Sequence, residues 1–505
     1  MSSIKAIAAK IFAKIIRKKM RRWIDNPIEA QAKVFDDLIE KAKSTKFGQD
    51  HNFSEVKTHS DFIERVPVRD YEGLKKYTEK MLNGDPDVLW PGRPTYYAKT
   101  SGTTSGAKFI PITEESMPSH IHGARNAILN YIAETGKTGF VDGKMIFLQG
   151  SPVLKKHKGV KTGRLSGIVA HFVPAYLQKN RMPSWQTNTI DDWEEKVEAV
   201  IEETLPENMT VISGIPSWVQ MYFEKIKSKT KKDIGQVFPN FNLFIYGGVN
   251  FEPYRNKFRA LIGRKVDSIE IFPASEGFFA FQDEQDNPGL LLRLDAGIFY
   301  EFIKVSEFYD ETPERHTLET VEKNVNYVLI ISTNAGLWAY NLGDTIQFVS
   351  LKPFRVIVSG RLKHFISAFG EHVIASEVEG ALKNTLKKHP AEISEFSVAP
   401  KIEPEIGLPF HEWFIEFDQK PDNFNSFVNE LDDQLQQKNA YYQDLIKGKI
   451  LRPLLVSEVE KNGFQKYMKS IGKLGGQNKI PRLTNDRKLA EKLIQSGVVI
   501  KKENE

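Results

Sequence analysis

Apolar positions fall into two textures along this chain. Between residues 26 and 85 they recur at helical spacing: Asn26-Pro27 opens an element in which Val34, Leu38, Ile39 and Ala42 form one stripe. From Tyr96 the texture changes. Short runs of strand type at Tyr96 to Ala98, Met145 to Leu148, Val211 to Ser213, Leu243 to Tyr246, Ser268 to Phe272 and Tyr327 to Ser332 alternate with helix-length stretches at 117–134, 191–204 and 216–228. That alternation predicts an α/β architecture with largely buried strands. A strand at Phe354 to Val358 ends at Ser359-Gly360-Arg361, and the pattern beyond it is new: a helix at 374–388, strands at 394–399 and His411 to Phe417, and a long helix at 422–438. A boundary there divides the chain into a large domain, 1–359, and a small α+β domain, 360–505.

A length of 505 residues is too great for one ordinary core and agrees with more than one domain. No apolar run approaches the about 18 residues of a membrane span. Cysteine is absent, which excludes disulfides, thiolate metal sites and a cysteine nucleophile, and fits a reducing cytoplasm. The net charge of +5 is small for the length and argues neither for nor against a polyanionic partner.

The local charge is more informative. Lys5, Lys10, Lys14, Arg17, Lys18, Lys19, Arg21 and Arg22 all precede the first acidic residue, Asp25, while Ile4, Ile7, Ile11 and Ile15 recur at helical spacing. The favoured reading is a helix packed on the body; the alternatives are a peripheral contact with an anionic membrane and an address sequence. Nucleic-acid binding would rest on this segment alone and is not expected.

Five segments carry candidate chemistry. In Thr100-Ser101-Gly102-Thr103-Thr104-Ser105-Gly106-Ala107-Lys108, two glycines free backbone N–H groups to face an anion, hydroxyls add donors and Lys108 adds charge. The segment is either a phosphate cradle or a polar hairpin loop at a sheet edge. It is not a Walker A loop, because the glycine spacing differs and Phe109 to Thr113 reads as a strand. Phe272-Pro273-Ala274-Ser275-Glu276-Gly277 follows a strand, so Glu276 either holds Mg²⁺ at a strand's carboxyl end or belongs to a capped helix start. Tyr340-Asn341-Leu342-Gly343-Asp344 offers an aspartate for ribose hydroxyls, or an ordinary β-turn between strands. Arg361 and Lys363 stand at the domain junction, as a nucleotide contact and hinge or as linker. Lys479 sits in the Gly-rich run Gly475 to Arg482, either a mobile catalytic loop or a solvated one.

Taken together, the order and spacing of these segments resemble the adenylate-forming superfamily of acyl-CoA synthetases, adenylation domains and luciferases, and within it the Gretchen Hagen (auxin-responsive) family of acyl-acid amido synthetases. Ser44-Thr45-Lys46-Phe47-Gly48 with His51 and Phe53, and Gly214-Ile215-Pro216-Ser217-Trp218, resemble that family too.

The resemblance implies a large N-terminal domain with mixed sheets and flanking helices, and a small mobile C-terminal one. It implies that Ser101, Gly102, Thr103, Thr104, Ser105, Gly106 and Lys108 form the phosphate loop, that Phe272, Ser275 and the Mg²⁺ ligand Glu276 form the second nucleotide motif, and that Tyr246, Gly247 and Gly248 lie along the adenine. Asp344 then holds ribose, Arg361 precedes the hinge Lys363, and Lys479 is the catalytic lysine. The cofactors implied are ATP and Mg²⁺; the substrates are a small carboxylic acid and an amine, with an amino acid favoured. Coenzyme A as acceptor and a non-catalytic nucleotide-binding module are the alternatives. Asn341 and Leu342 depart from the Arg and Thr common in the superfamily, and Lys363 from the common Asp.

Overall fold

The computed structural model describes residues 3–101, 107–173, 178–190, 192–248, 251, 254–362, 365–366, 373–447, 450–474, 479–484 and 486–500. They form two compact units, one of residues 1–251 and 258–358, the other of 252–257 and 359–505.

The first unit is built on an eleven-stranded sheet. One half is parallel. Arg181–Met182, Lys144–Leu148, Met209–Gly214, Leu243–Gly247 and Asp267–Ala274 lie side by side in that order, each parallel to its neighbour. Helices covering both faces bury such strands, which is why Leu243-Phe244-Ile245-Tyr246 is apolar without alternation and buried throughout. After Asp267–Ala274 the direction reverses. Gly277–Phe281, Leu290–Leu292 and Phe354–Arg361 follow antiparallel, and Ile298–Lys304, Asn326–Thr333 and Tyr340–Leu351 form a meander at the other side. The strand Ile298–Lys304 is buried on both faces and still carries Glu301, whose carboxylate takes both arms of Arg315 at 2.8 and 2.7 Å and the ring of His59 at 2.7 Å. Paired this way, the charge is tolerated in a core that would otherwise expel it.

A smaller sheet in the same unit has the order Ala107–Ile112, Tyr96–Ser101, Val160–Gly163, Lys155–His157. The helix Met117–Thr135 lies against the main sheet. Gly123 permits this: a Cβ there would stand 2.3 Å from the Phe278 ring.

The N-terminal helix, Ile4–Asp25, packs on Met117–Thr135 as the favoured reading expects, but not through the isoleucine stripe. Ala6, Ala13, Ile16, Met20 and Trp23 are buried, while Ile4, Ile7, Ile11 and Ile15 are exposed. Two apolar stripes lie on this helix, and the one that is buried combines the small Ala6 and Ala13 with the bulky Ile16, Met20 and Trp23.

In the second unit Glu392–Lys401 pairs antiparallel with Phe410–Gln419, which pairs parallel with Leu455–Val459. Alternation divides the strands between two cores. Phe396, Val398, Trp413 and Ile415 meet Ala375–Lys388 and Phe424–Lys438 on one face; Ala399 and Phe414 meet Gly463–Ser470 and Lys488–Gln495 on the other. No helix among the described residues is long and apolar enough to cross a membrane.

Candidate active site

The carboxyl ends of the adjacent parallel strands Leu243–Gly247 and Asp267–Ala274 bring two predicted segments together. Tyr246 is level with Glu270 and Gly247 with Ile271, so Tyr246-Gly247-Gly248 leaves the sheet beside the strand that leads to Ser275 and Glu276. Only glycine fits at 247, where a Cβ would lie 2.3 Å from the Ile271 carbonyl oxygen. Gly248 follows with a φ of +81°. Phe272 is buried in the strand, and Glu276 is half-buried in the two-residue turn joining Ala274 to Gly277. The helix start considered for Ser275-Glu276 is therefore replaced by a β-hairpin turn. The crevice beyond parallel strand ends is where open α/β sheets bind ligands.

Asp344 occupies neither a turn nor the gap between two strands. It is buried within the single strand Tyr340–Leu351, at a bulge where Leu342, Gly343 and Asp344 together face Leu329. Gly343 takes a φ of +85° and donates its N–H to Asn341 Oδ1 at 2.9 Å. Asn341, one of the two residues that depart from the superfamily pattern, thus supports the bulge that contains Asp344.

Lys108 lies in a strand paired antiparallel with the one before it, Thr100 opposite Lys108 and Ser101 opposite Ala107. Gly102, Thr103, Thr104, Ser105 and Gly106, which join these ends, lie outside the described residues, as do Lys363 and the loop preceding Lys479. Ala107–Ile112 is an edge strand, so Lys108 stands at a sheet edge.

A segment that carried no sequence signal ties Lys108 to the Asp344 strand. Arg69 donates its N–H to Ala339 O at 3.0 Å and accepts at its carbonyl from Asn341 N at 2.7 Å. Two residues on, the Tyr71 hydroxyl accepts Phe109 N–H at 3.0 Å, and its ring lies 5.6 Å from Lys108 Nζ. The predicted segment Ser44 to Phe53 props this link from below. His51 Nδ1 bonds Phe47 O at 2.8 Å, leaving Nε2 as acceptor for the Arg69 guanidinium at 3.0 Å, and the His51 ring stacks on Phe47. Burial holds the His51 imidazole below its ordinary value, which keeps that acceptor available.

On Met117–Thr135, His120 is buried and burial, with the Arg293 guanidinium adding to it, pushes its imidazole down to about 4. Arg293 is itself buried, donating to Ser119 O at 2.9 Å. In the second unit Arg361 ends the strand Phe354–Arg361, and Lys479 is exposed. Three residues beyond Lys479 the chain is fixed: Val398 N donates to Arg482 O and Thr484 N to Val398 O, each at 2.9 Å. The Arg482 guanidinium pairs with Glu395 and Glu379 and donates to Tyr254 Oη at 3.0 Å. Burial works against its charge, but these carboxylates hold it protonated well above the ordinary range. Among the described residues no three metal-ligating side chains gather into a cluster.

This architecture is shared with solved acyl acid amido synthetase and acyl-CoA ligase structures. It superposes on a GH3.15 acyl acid amido synthetase with a TM-score of 0.79 at 15% identity, covering 97% of both chains, and on a 2-hydroxyisobutyryl-CoA ligase in the postadenylation state with a TM-score of 0.60 at 13% identity, covering 92% and 91%. Residues 16–190, 291–361 and 376–488 match in turn the N-terminal, central and C-terminal domains of one family, and the chain belongs to that family, GH3. Its similar relatives include the jasmonoyl-L-amino acid synthetase JAR4 of Nicotiana attenuata, 21% identical over 383 residues, or 63% of this chain and 66% of that protein. The jasmonoyl-L-amino acid synthetase GH3.5 of Oryza sativa subsp. japonica is 22% identical over 504 residues, 83% of this chain and 86% of the relative.

Proposed function

We propose that the chain is an ATP-dependent acyl acid amido synthetase that activates a small carboxylic acid as its acyl-adenylate and transfers the acyl group to an amine, an amino acid. The observation that carries the reading is the pair of segments Tyr246–Gly248 and Ser275–Glu276 at the carboxyl ends of adjacent parallel strands. GH3 membership and the names of the relatives support the same chemistry.

A carboxylate resists attack because its charge is delocalised and oxide leaves poorly. Its oxygen attacks the α-phosphorus of ATP, the bond to the β-phosphate's bridging oxygen breaks, and pyrophosphate leaves. The amine nitrogen then attacks the acyl carbon, loses a proton, and AMP departs with the electrons of the acyl–oxygen bond. In this reading Ser101 to Gly106 cradle the phosphates, Tyr246 to Gly248 and Phe272 flank adenine, Asp344 holds ribose, and Arg361 contacts the nucleotide ahead of Lys363 as hinge. Lys108 and Lys479 neutralise charge developing on the phosphates. Glu276 offers a hard carboxylate oxygen of the kind Mg²⁺ prefers and is the residue that would hold the ion. When bound, the ion supplies further neutralisation of the leaving pyrophosphate.

The test is pyrophosphate release from ATP and Mg²⁺ across a panel of carboxylic acids, with and without amino acids, in the wild type, Lys108→Ala and Asp344→Ala. Acid-dependent release that both substitutions cut by at least about a hundredfold, with an amide found by mass spectrometry, supports the proposal. A thioester formed on adding coenzyme A, without an amide, would replace the second half of it. ATP binding with no release for any acid would leave a nucleotide-binding module.

A further inference from the structure

The helix Ile4–Asp25 has a second apolar face that the body of the protein does not cover. Ile4, Ile7, Ile11 and Ile15 are 87%, 52%, 57% and 47% exposed. At about 100° per residue these side chains fall within an arc of about 80°, on the side opposite the packed Ala6, Ala13 and Met20. The packing is secured independently of them, through the buried face and through Arg17, whose guanidinium donates to Ala133 O at 3.1 Å. The isoleucines therefore contribute nothing visible to holding the helix in place. Exposing four such side chains in a row is costly unless something covers them.

The charges around the stripe say what that is. Lys10, Lys14 and Arg21 flank it on one side and Lys19 on the other, and Lys18 and Arg22 continue its line toward the helix's carboxyl end. No acidic residue occurs in the helix before Asp25, and Lys10, Lys14, Lys18 and Lys19 form no ion pair among the described residues. A second copy of the chain would set this basic frame against itself. A nucleic acid would satisfy the basic residues and leave the isoleucines in water. An acidic groove on a protein would have to be negative on both sides and apolar along its floor. An anionic bilayer surface meets both demands at once, since isoleucines enter the headgroup boundary while the lysines reach phosphates on either side.

We propose that the outward face of Ile4–Asp25 is a docking surface for anionic lipid bilayers, with Ile7, Ile11 and Ile15 inserted and Lys10, Lys14 and Lys18 engaging headgroups. It involves no residue of the candidate active site and stands whether or not the proposed activity does.

The test is sedimentation of the full chain with vesicles of phosphatidylcholine alone and of phosphatidylcholine mixed with phosphatidylserine, at low and high salt. The expected result is binding to the mixed vesicles at least about tenfold tighter than to the neutral ones, weakening with salt. The variant Ile7→Ser/Ile11→Ser/Ile15→Ser loses at least about tenfold, and Lys10→Ala/Lys14→Ala/Lys18→Ala about a hundredfold. Both variants keep the wild-type melting temperature, because the altered side chains face away from the body. Absence of binding to mixed vesicles, or equal binding to both kinds, overturns the proposal. Serine-variant binding equal to wild type also overturns it, since the isoleucines would then play no part. So does a concentration-dependent dimer that the serine variant abolishes, which would assign the face to a second copy.

Discussion

The Tyr71 ring lies 5.6 Å from Nζ of Lys108 while the Tyr71 hydroxyl accepts the N–H of Phe109 at 3.0 Å. One side chain thus holds both the ammonium and the backbone next to it. Because Arg69, two residues earlier, is hydrogen-bonded on both sides to Ala339 and Asn341, Lys108 is indirectly coupled to the strand that carries Asp344. If Lys108 neutralises phosphate charge, its placement depends on this short segment. Tyr71→Ala is expected to lower acid-dependent pyrophosphate release about tenfold. Tyr71→Phe keeps the ring and loses only the hydrogen bond, for about a fivefold loss. Steady-state kinetics on the two variants, with thermal melting to exclude unfolding, checks the order.

Gly247 allows no side chain. An alanine Cβ would meet the Ile271 carbonyl oxygen at 2.3 Å, and backbone of a paired neighbouring strand has little room to move. Gly247→Ala should cost about 1–3 kcal/mol of stability. It should also weaken ATP binding, because the strain falls where Tyr246–Gly248 leaves the sheet. Calorimetric titration with ATP and a melting curve on the same variant read the two effects.

The anchor of the segment after Lys479 is electrostatic. Replacing Arg482 by methionine keeps much of the bulk and leaves Glu395 and Glu379, both largely buried, without their guanidinium. Removing one partner of such a cluster costs about 3–5 kcal/mol. Denaturant unfolding is expected to show this for Arg482→Met, with a smaller loss for Arg482→Lys, which keeps the charge but not the fork.

Glu416 makes the second unit sensitive to pH. Burial pushes its carboxyl up to about 7, against the backbone N–H groups of Asn462 and Phe464 that it accepts. A carboxyl raised in the folded state contributes stability below its unfolded value. That contribution is lost as pH climbs from about 4.5 through about 7. The amount is at most about 3 kcal/mol. The wild-type denaturation midpoint should therefore fall as pH rises from 5 to 8, a dependence that Glu416→Gln, which does not titrate, should lack in this part.

Much of this was legible in the chain itself. The runs Leu243 to Tyr246 and Ser268 to Phe272 read as buried strands because a parallel sheet covered on both faces selects apolar residues at every position. The candidate segments at 275–276, 344 and 108 stood out because Gly, Ser and Asp between runs of strand type are local features, visible without any partner, whereas 246–248 was marked only by the family resemblance. Local patterns also suggested wrong surroundings. Ser275-Glu276 reads equally well as a helix start, and only the antiparallel return of Gly277–Phe281 decides for a hairpin. Gly343-Asp344 reads as a turn, and only pairing with Asn326–Thr333 makes it a bulge inside one strand.

What the sequence alone determined was many of the elements, their order and the residue types offered for chemistry, because periodicity and turn composition report each segment's own burial; strands such as Val160–Gly163 and Ile298–Lys304 were not among them. The tertiary structure decided which face of Ile4–Asp25 is covered, since both faces carried apolar residues and only packing against Met117–Thr135 chose between them. It alone joined Arg69 and Tyr71 to Asn341 and Phe109. Those bonds connect parts of the chain far apart in sequence through backbone groups and one hydroxyl, which leave no period and no motif to read.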